Sequence, residues 1–533
     1  MEKVPLGFLA NIFKRRSPDE IIARSNTDSL AKTLNWTDIL ILGISAVIGS
    51  GIFVMVGEAA CGNAEHVGAG PALVISVFLG ALACVFPAFC FAEFASTIPD
   101  SGCSYTYTYS TLGEFPAWIM GTVLVLEYAI SNVTVSAAWS GYFFQFLEGF
   151  SHVLPDWLVH PPLWLIHDYG TAVLKYQAAG LDPSVQIPHI FGIPIAFNLP
   201  AIFIMIIMAI ILTRGTIESK RTATLMVIIK MAVIFLFIVV GAFYVQPENW
   251  GHNFAEFAPN GFEGITIGAF IIVYAYLGFD ALGTTAGEAK NPQKDLPIGI
   301  IGTLLIAALV YAGVAAVFTG IIPVSDYATV NIHAPLAYVS RLIHQDWIAG
   351  WISLGALAGL TSVLLVLQYA NSRILYAMAK DNFLPKILKK RHPKYKTPAV
   401  IIWLSAIVII VSGMFIDMSV ATQLAICGTL TCFVLVCLEI IILRKTHPHI
   451  NRPFKVPFYP WFPILGIVVS ALLMIQSLPQ LEKASFLFPL WLLGGALIYT
   501  VYGYRQHRNA EEKDKMLMQR FIEKTQGEEN GGQ

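Results

Sequence analysis

Long apolar runs alternate with short polar stretches along almost the whole chain. By hydropathy and length there are about twelve runs, roughly at 38–60, 71–97, 115–147, 197–213, 222–245, 263–287, 298–321, 348–378, 398–416, 420–443, 460–478 and 486–503. A bilayer core of ~30 Å takes about 20 apolar residues of helix, so each run is close to one crossing. Pro, Gly and charged residues punctuate the intervals. The pattern predicts an all-α polytopic membrane protein.

The first run is interrupted at its centre by Gly49-Ser50-Gly51. Each Gly weakens a helix by about 1 kcal/mol relative to Ala. A break at that depth is tolerated only where it lines a polar cavity or is buried in protein. It exposes the N–H groups that open the outer half-helix and the C=O groups that close the inner one. These ends carry partial charges of roughly +0.5 and −0.5, which suits a zwitterion with one carboxylate and one ammonium. Small-residue helix packing accounts for the same glycines, and spacing alone does not choose between the two readings.

The sixth run carries a similar interruption, Leu277-Gly278-Phe279-Asp280, with Asp280 expected to cap the helix half that follows. Runs one and six are five apart. Five is odd, so a repeat of spans 1–5 by spans 6–10 would have inverted topology, the arrangement in which paired interrupted helices mark a transport site. Between spans two and three, Ser104–Ser110 (SYTYTYS) alternates as a strand does, but its place predicts a short amphipathic connecting helix. Two outer loops are long. Residues 151–195, rich in Trp, His and Pro, are expected to cap the outer mouth, and Pro335–Ile343 to form a short interfacial helix.

Composition agrees with the pattern. The chain of 533 residues is 56% hydrophobic and 13% charged, with a mean hydropathy of +0.66, which excludes a soluble protein. A net charge of −1 gives no reason to expect a nucleic-acid partner. The seven Cys lie mostly inside apolar runs without CxxC spacing and read as small buried residues; no cofactor or metal is expected. Residues 1–35 are polar and basic, unlike a cleavable signal. Roughly 28 of the 33 Lys and Arg residues fall on one side, which predicts that both termini are cytoplasmic.

Two charges sit deep in the apolar runs: Glu127 in span three and Lys230 in span five. Both spans start inside, as span one does. At ~1.5 Å per residue, Gly49, Glu127 and Lys230 lie roughly 12–18 Å from the cytoplasmic face, near the midplane. A charge there costs at least ~2.5–3.5 kcal/mol and faces a pathway or a partner. Lys230 is read as a proton carrier within reach of Glu127 and of the Ser50 hydroxyl; the alternative is a structural Lys230–Glu127 pair. Glu58 and Glu93 are placed at the interface, and Arg373 is expected to snorkel to the cytoplasm.

The segments GISAVIGSGIF (43–53), AGPAL (69–73), AEFAS (92–96), GCSYTYTYSTLGE (102–114), GFDA (278–281), EAKNPQKDLPIGI (288–300) and RPFKVP (452–457), in this order, resemble the amino acid–polyamine–organocation permeases. The similarity is closest to bacterial members of the cationic amino acid transporter branch. It implies a leucine-transporter-type fold with interrupted helices 1 and 6. Residues 1–34 would be a cytoplasmic segment, 35–245 the first five-helix repeat, 246–444 the inverted second, 445–504 two additional helices and 505–533 a cytoplasmic tail. The substrate carboxylate would rest on amides around Gly49, Ser50 and Gly51. The amine would meet carbonyls near Val47 and from Tyr274, Ala275 and Leu277, beside Gly278. Tyr274 matches the aromatic gate. Lys230 matches the lysine that fills the place of a sodium ion in proton-coupled members, with Glu127 and Ser50 as polar neighbours. Leu367 stands where cationic-substrate members tend to carry a smaller residue. The resemblance implies a proton-coupled symporter of a small neutral or generic α-amino acid in a bacterial cytoplasmic membrane, working as a monomer with amino acid, protons and lipid as partners. The alternatives are an amino acid/amine exchanger or a non-transporting sensor. No HExxH, GxSxG or paired-carboxylate motif points to an enzyme.

Overall fold

The structure is a computed structural model; it describes residues 12–27, 32–49, 51–62, 66–190, 193–194, 196–329, 335–416, 418–477, 483–510, 512 and 516. The described chain is almost wholly helical, apart from a two-residue antiparallel pair that joins His189–Ile190 to Ile193–Pro194. The main helices are α1 (Trp36–Val47), α2 (Val56–Cys61), α3 (Leu73–Thr97), α4 (Ser104–Thr111), α5 (Glu114–Glu148), α6 (Leu199–Arg214) and α7 (Thr216–Ala242). They continue with α8 (Gly261–Tyr276), α9 (Pro292–Ile321), α10 (Asp346–Lys380), α11 (Ala399–Phe415), α12 (Met418–Thr446), α13 (Trp461–Ser477) and α14 (Ala484–Ile498). Among the described residues, eight helices are long and apolar enough to cross a membrane, and four more apolar helices have 10–17 residues. The protein is a multi-pass integral membrane protein.

Two places depart from regular helix in the way the glycines suggest. After Val47 the backbone of Ile48 turns extended, at φ −82° and ψ 94°. Helical structure resumes as a π turn over Gly51–Met55 that leads into α2. After Tyr276, Leu277 is extended at ψ 151° and Gly278 has φ +105°, a conformation that a Cβ would strain. The chain then continues as a 3-10 helix, Asp280–Glu288.

These stretches lie at the middle of the packing. The most extensive helix contacts pair α10 with α5, α9 with α3, α7 with α10, α12 with α5 and α8 with α3. One apolar cluster runs through nearly all of them. Small residues allow the close approaches. A Cβ on Gly49 would come within 2.4 Å of Val363, and one on Gly51 within 2.6 Å of the Ala275 Cα. Both glycines therefore make tight packing contacts, next to a backbone that has left helical geometry.

Several charges expected at the interface are buried instead. Arg373 does not snorkel: it is 3% exposed, pairs with Glu288 at 2.7 Å and stacks over the Tyr369 ring at 4.3 Å. A carboxylate within the protein holds the guanidinium inside. Glu93 is fully buried, held by Arg444, by Arg452 at 3.5 Å and by the backbone N–H of Val456 at 2.6 Å. Asp280 opens the 3-10 helix, with its carboxylate against the backbone amides at the helix start and accepting from the Tyr128 hydroxyl.

The SYTYTYS segment is helical but not amphipathic, because every residue of α4 is buried. Its partners come from far along the chain: Asp381 on Tyr105 at 2.7 Å, Glu439 on Thr108 at 2.6 Å and His507 on Tyr109 at 3.5 Å. The N-terminal segment joins them, with Arg16 paired to Asp381 at 2.7 Å. Pro335–Leu342 is a helix whose buried face packs against α10 and α7, so protein rather than lipid headgroups covers it.

The long loop after α5 holds short helices at Asp156–Val159, Tyr169–Ala178 and Pro183–Gln186. Ala172, Tyr176 and Ile187 form a small core of its own. Lys175 Nζ donates to His167 Nε2 at 2.9 Å. Burial first, then the Lys175 charge, pushes His167 down from 6.5 to about 4.

Candidate functional site

The two irregular stretches border one partly open cleft. From the first come Ala46, Val47 and Gly51, and from the second Tyr274, Ala275, Leu277 and Gly278. Helix α5 adds Glu127, Ser131 and Val135, α10 adds Val363 and Leu367, and α12 adds Thr429. The residues expected to bind a zwitterion thus converge, with two exceptions. Gly49 packs on Val363 and does not line the cleft. Ser50 lies outside the described residues. Lys230 is next to the cleft wall rather than in it.

Lys230 is fully buried on α7, and its ammonium reaches the end of α1. It donates to the carbonyls of Ile48 at 2.6 Å, Ile44 at 3.0 Å and Ser45 at 3.2 Å, and to the Ser362 hydroxyl at 2.9 Å. The last carbonyls of a helix lack intrahelical partners and carry partial negative charge, so a cation is stabilised there. Ser362 also donates to the Ser45 carbonyl at 3.1 Å, which ties α10 to the same point.

The anticipated approach of Lys230 to Glu127 is not made. Among the described residues no ion pair joins them. Glu127 accepts from the Thr429 hydroxyl at 2.6 Å, and its other carboxylate oxygen has no partner among the described residues. The long lysine side chain finds its acceptors at the end of α1, whereas Glu127 turns toward α12.

Comparison with known proteins settles the family. A family model described as amino acid permease matches residues 34–500. The chain belongs to the amino acid permease family. It is 39% identical to a methylthioribose transporter of Bacillus subtilis (strain 168), over 94% of this chain and 99% of that one. It is 40% identical to a branched-chain amino acid permease of the same organism, over 93% and 98%. A chloroplast cationic amino acid transporter of Arabidopsis thaliana shares 34% identity over 71% of this chain and 60% of its own length.

In this permease one residue of the site went unnoticed in the sequence. Tyr311 of α9 is fully buried, and its hydroxyl lies 2.9 Å from both the Val47 and the Ala275 carbonyl oxygens. It bridges the two irregular stretches and occupies one acceptor site on the carbonyls expected to receive an amine. A carbonyl oxygen has two lone pairs, so each keeps room for a second donor. A tyrosine in the middle of LIAALVYAGVAAV was the available signal: its O–H needs a partner at that depth. Ser362 and Thr429 carry no such signal. A hydroxyl in an apolar helix can satisfy itself on the preceding turn, as Thr429 also does on the Ala425 carbonyl at 3.1 Å.

Proposed function

We propose that this permease moves a neutral α-amino acid, coupled to protons, by alternating access across the cytoplasmic membrane of a bacterium, with both termini inside. The reading takes the fold as an inverted five-plus-five repeat, 35–245 and 246–444, followed by two further helices over 445–504. The 1–34 segment and the 505–533 tail are cytoplasmic. The interruptions at Gly49–Gly51 and Leu277–Gly278 occupy corresponding places in the two halves.

In this reading the substrate carboxylate rests on the backbone amides at Gly51 and Ser50. The ammonium rests on the carbonyls of Val47, Tyr274, Ala275 and Leu277. Val135, Val363 and Leu367 receive an apolar side chain. One observation carries the proposal: the Lys230 ammonium sits on the α1 carbonyls that end at the cleft. A proton on Lys230 braces the first interruption in the shape that holds substrate. Loss of that proton takes away the charge and one of the three N–H donors shared among these acceptors, and loosens it. Coupling of this kind is a difference in proton affinity between outward and inward states, worth about tenfold in substrate affinity per pH unit of difference.

The similarity to a branched-chain amino acid permease supports a small aliphatic substrate, and the similarity to a methylthioribose transporter names the competitor to test. Purified protein in proteoliposomes is expected to support counterflow of radiolabelled valine, inhibited by neutral amino acids. Inhibition by methylthioribose alone would reassign the cargo. Binding without counterflow would support a sensor. Counterflow indifferent to an imposed pH gradient would support an exchanger.

A further inference from the structure

Glu127 and Asp280 are buried, 3% and 1% exposed, and are electrostatic neighbours. Each has a single hydroxyl donor: Thr429 on Glu127 at 2.6 Å, and Tyr128 on Asp280 at 2.5 Å. Oε2 of Glu127 has no partner among the described residues, whereas the Asp280 carboxyl also lies against the backbone amides of Gly278, Asp280 and Ala281. The other titratable groups facing them are Tyr128, Cys103 and Cys432. Cys103 approaches the Asp280 backbone carbonyl at 3.5 Å, and Cys432 lies beside both acids. None of these is a cation. No Lys, Arg or His among the described residues forms an ion pair with either carboxyl.

Two ionised carboxylates here repel one another, and each carries the full cost of leaving water without a counter-ion. A proton relieves both effects, and it turns an unpartnered acceptor into a donor. Glu127 is one of the residues that line the cleft. Gly278, two residues before Asp280, lines the same cleft.

We propose that Glu127 and Asp280 form a second proton-binding site, distinct from Lys230, which fills together with the substrate cleft. Glu127 is the residue that exchanges the proton with the cleft. Asp280 and Tyr128 hold its other side. The inference rests on the proton-coupled reading above.

The test begins with the affinity of the purified wild type for radiolabelled valine as a function of pH, beside valine accumulation driven by an acidic exterior. Each linked proton contributes a factor of about ten in Kd per pH unit above its midpoint. The Glu127→Gln/Asp280→Asn double variant is expected to lose one such factor and to keep the one that belongs to Lys230. Tyr128→Phe removes the donor to Asp280 and leaves both carboxyls in place. It is expected to move the midpoint upward. Unmodified protein gives a check that needs no variant. Dicyclohexylcarbodiimide, which attacks buried protonated carboxyls, is expected to label Glu127 or Asp280 at acid pH, and valine is expected to block it. A wild-type pH slope in the double variant overturns the inference. So does an unmoved midpoint in Tyr128→Phe, or labelling that spares both acids. A wild type that exchanges valine but cannot accumulate it against an acidic exterior would instead overturn the proton-coupled reading, and this inference with it.

Discussion

Gly51 is held by packing at the place proposed for binding. A Cβ on Gly51 would stand 2.3 Å from the Ala275 Cβ and 3.1 Å from the Tyr311 hydroxyl. Gly51→Val therefore abolishes binding under either reading and separates nothing. Leu367 separates more. It is nearly buried and lines the cleft beside Val363. Leu367→Gly or Leu367→Ser is expected to lengthen the side-chain space, so that arginine gains as a competitor of valine counterflow. An unchanged competition profile would remove Leu367 from the specificity wall. Tyr311→Phe keeps the ring and loses the bridge between the Val47 and Ala275 carbonyls. A hydrogen bond of this kind is worth about 0.5–1.5 kcal/mol. Thermal unfolding of the ligand-free protein is expected to show a loss of that order. Glu127, Lys230 and the glycines were legible because a charge or a Gly stands out in an apolar run. Which partner each would choose was not legible, since it depends on where α10 and α12 pass.

The elements were largely legible and their surroundings were not. Length and hydropathy place a helix at each apolar run. They do not say that α4 is enclosed on every side, or that Arg373 and Glu93 are inside. Partners 85 residues or more away in sequence, Glu288 for Arg373 and Arg444 for Glu93, decide this. Removing one member of a buried pair leaves an uncompensated charge, at about 3–5 kcal/mol. Glu288→Gln is thus expected to lower thermal stability severely, and the further change Arg373→Met to restore part of it. A mild single variant would mean that water reaches the guanidinium. In the long loop after α5, His167 is held neutral in the folded protein down to about 4, against 6.5 when exposed. Between these values the unfolded loop binds more protons than the folded one, so its stability falls as pH falls and the full loss is reached below about 4. Hydrogen exchange over Tyr169–Ala178 is expected to speed up across that window. His167→Gln is expected to flatten the dependence, and an unchanged slope in that variant would assign the effect to another group.

At the scale of the whole molecule, the family and its membrane character follow from patterns that run the length of the chain. The proposed proton coupling rests first on a buried ammonium and the carbonyls it holds. The most direct measurement is therefore valine uptake into proteoliposomes with an acid exterior, comparing wild type with Lys230→Met. Methionine fills much of the same space and removes the titrating group. The wild type is expected to concentrate valine, and the variant to lose accumulation while keeping weak downhill exchange. A Lys230→Met protein that concentrates valine as the wild type does would contradict the account and leave Lys230 as a strut between α7 and α1.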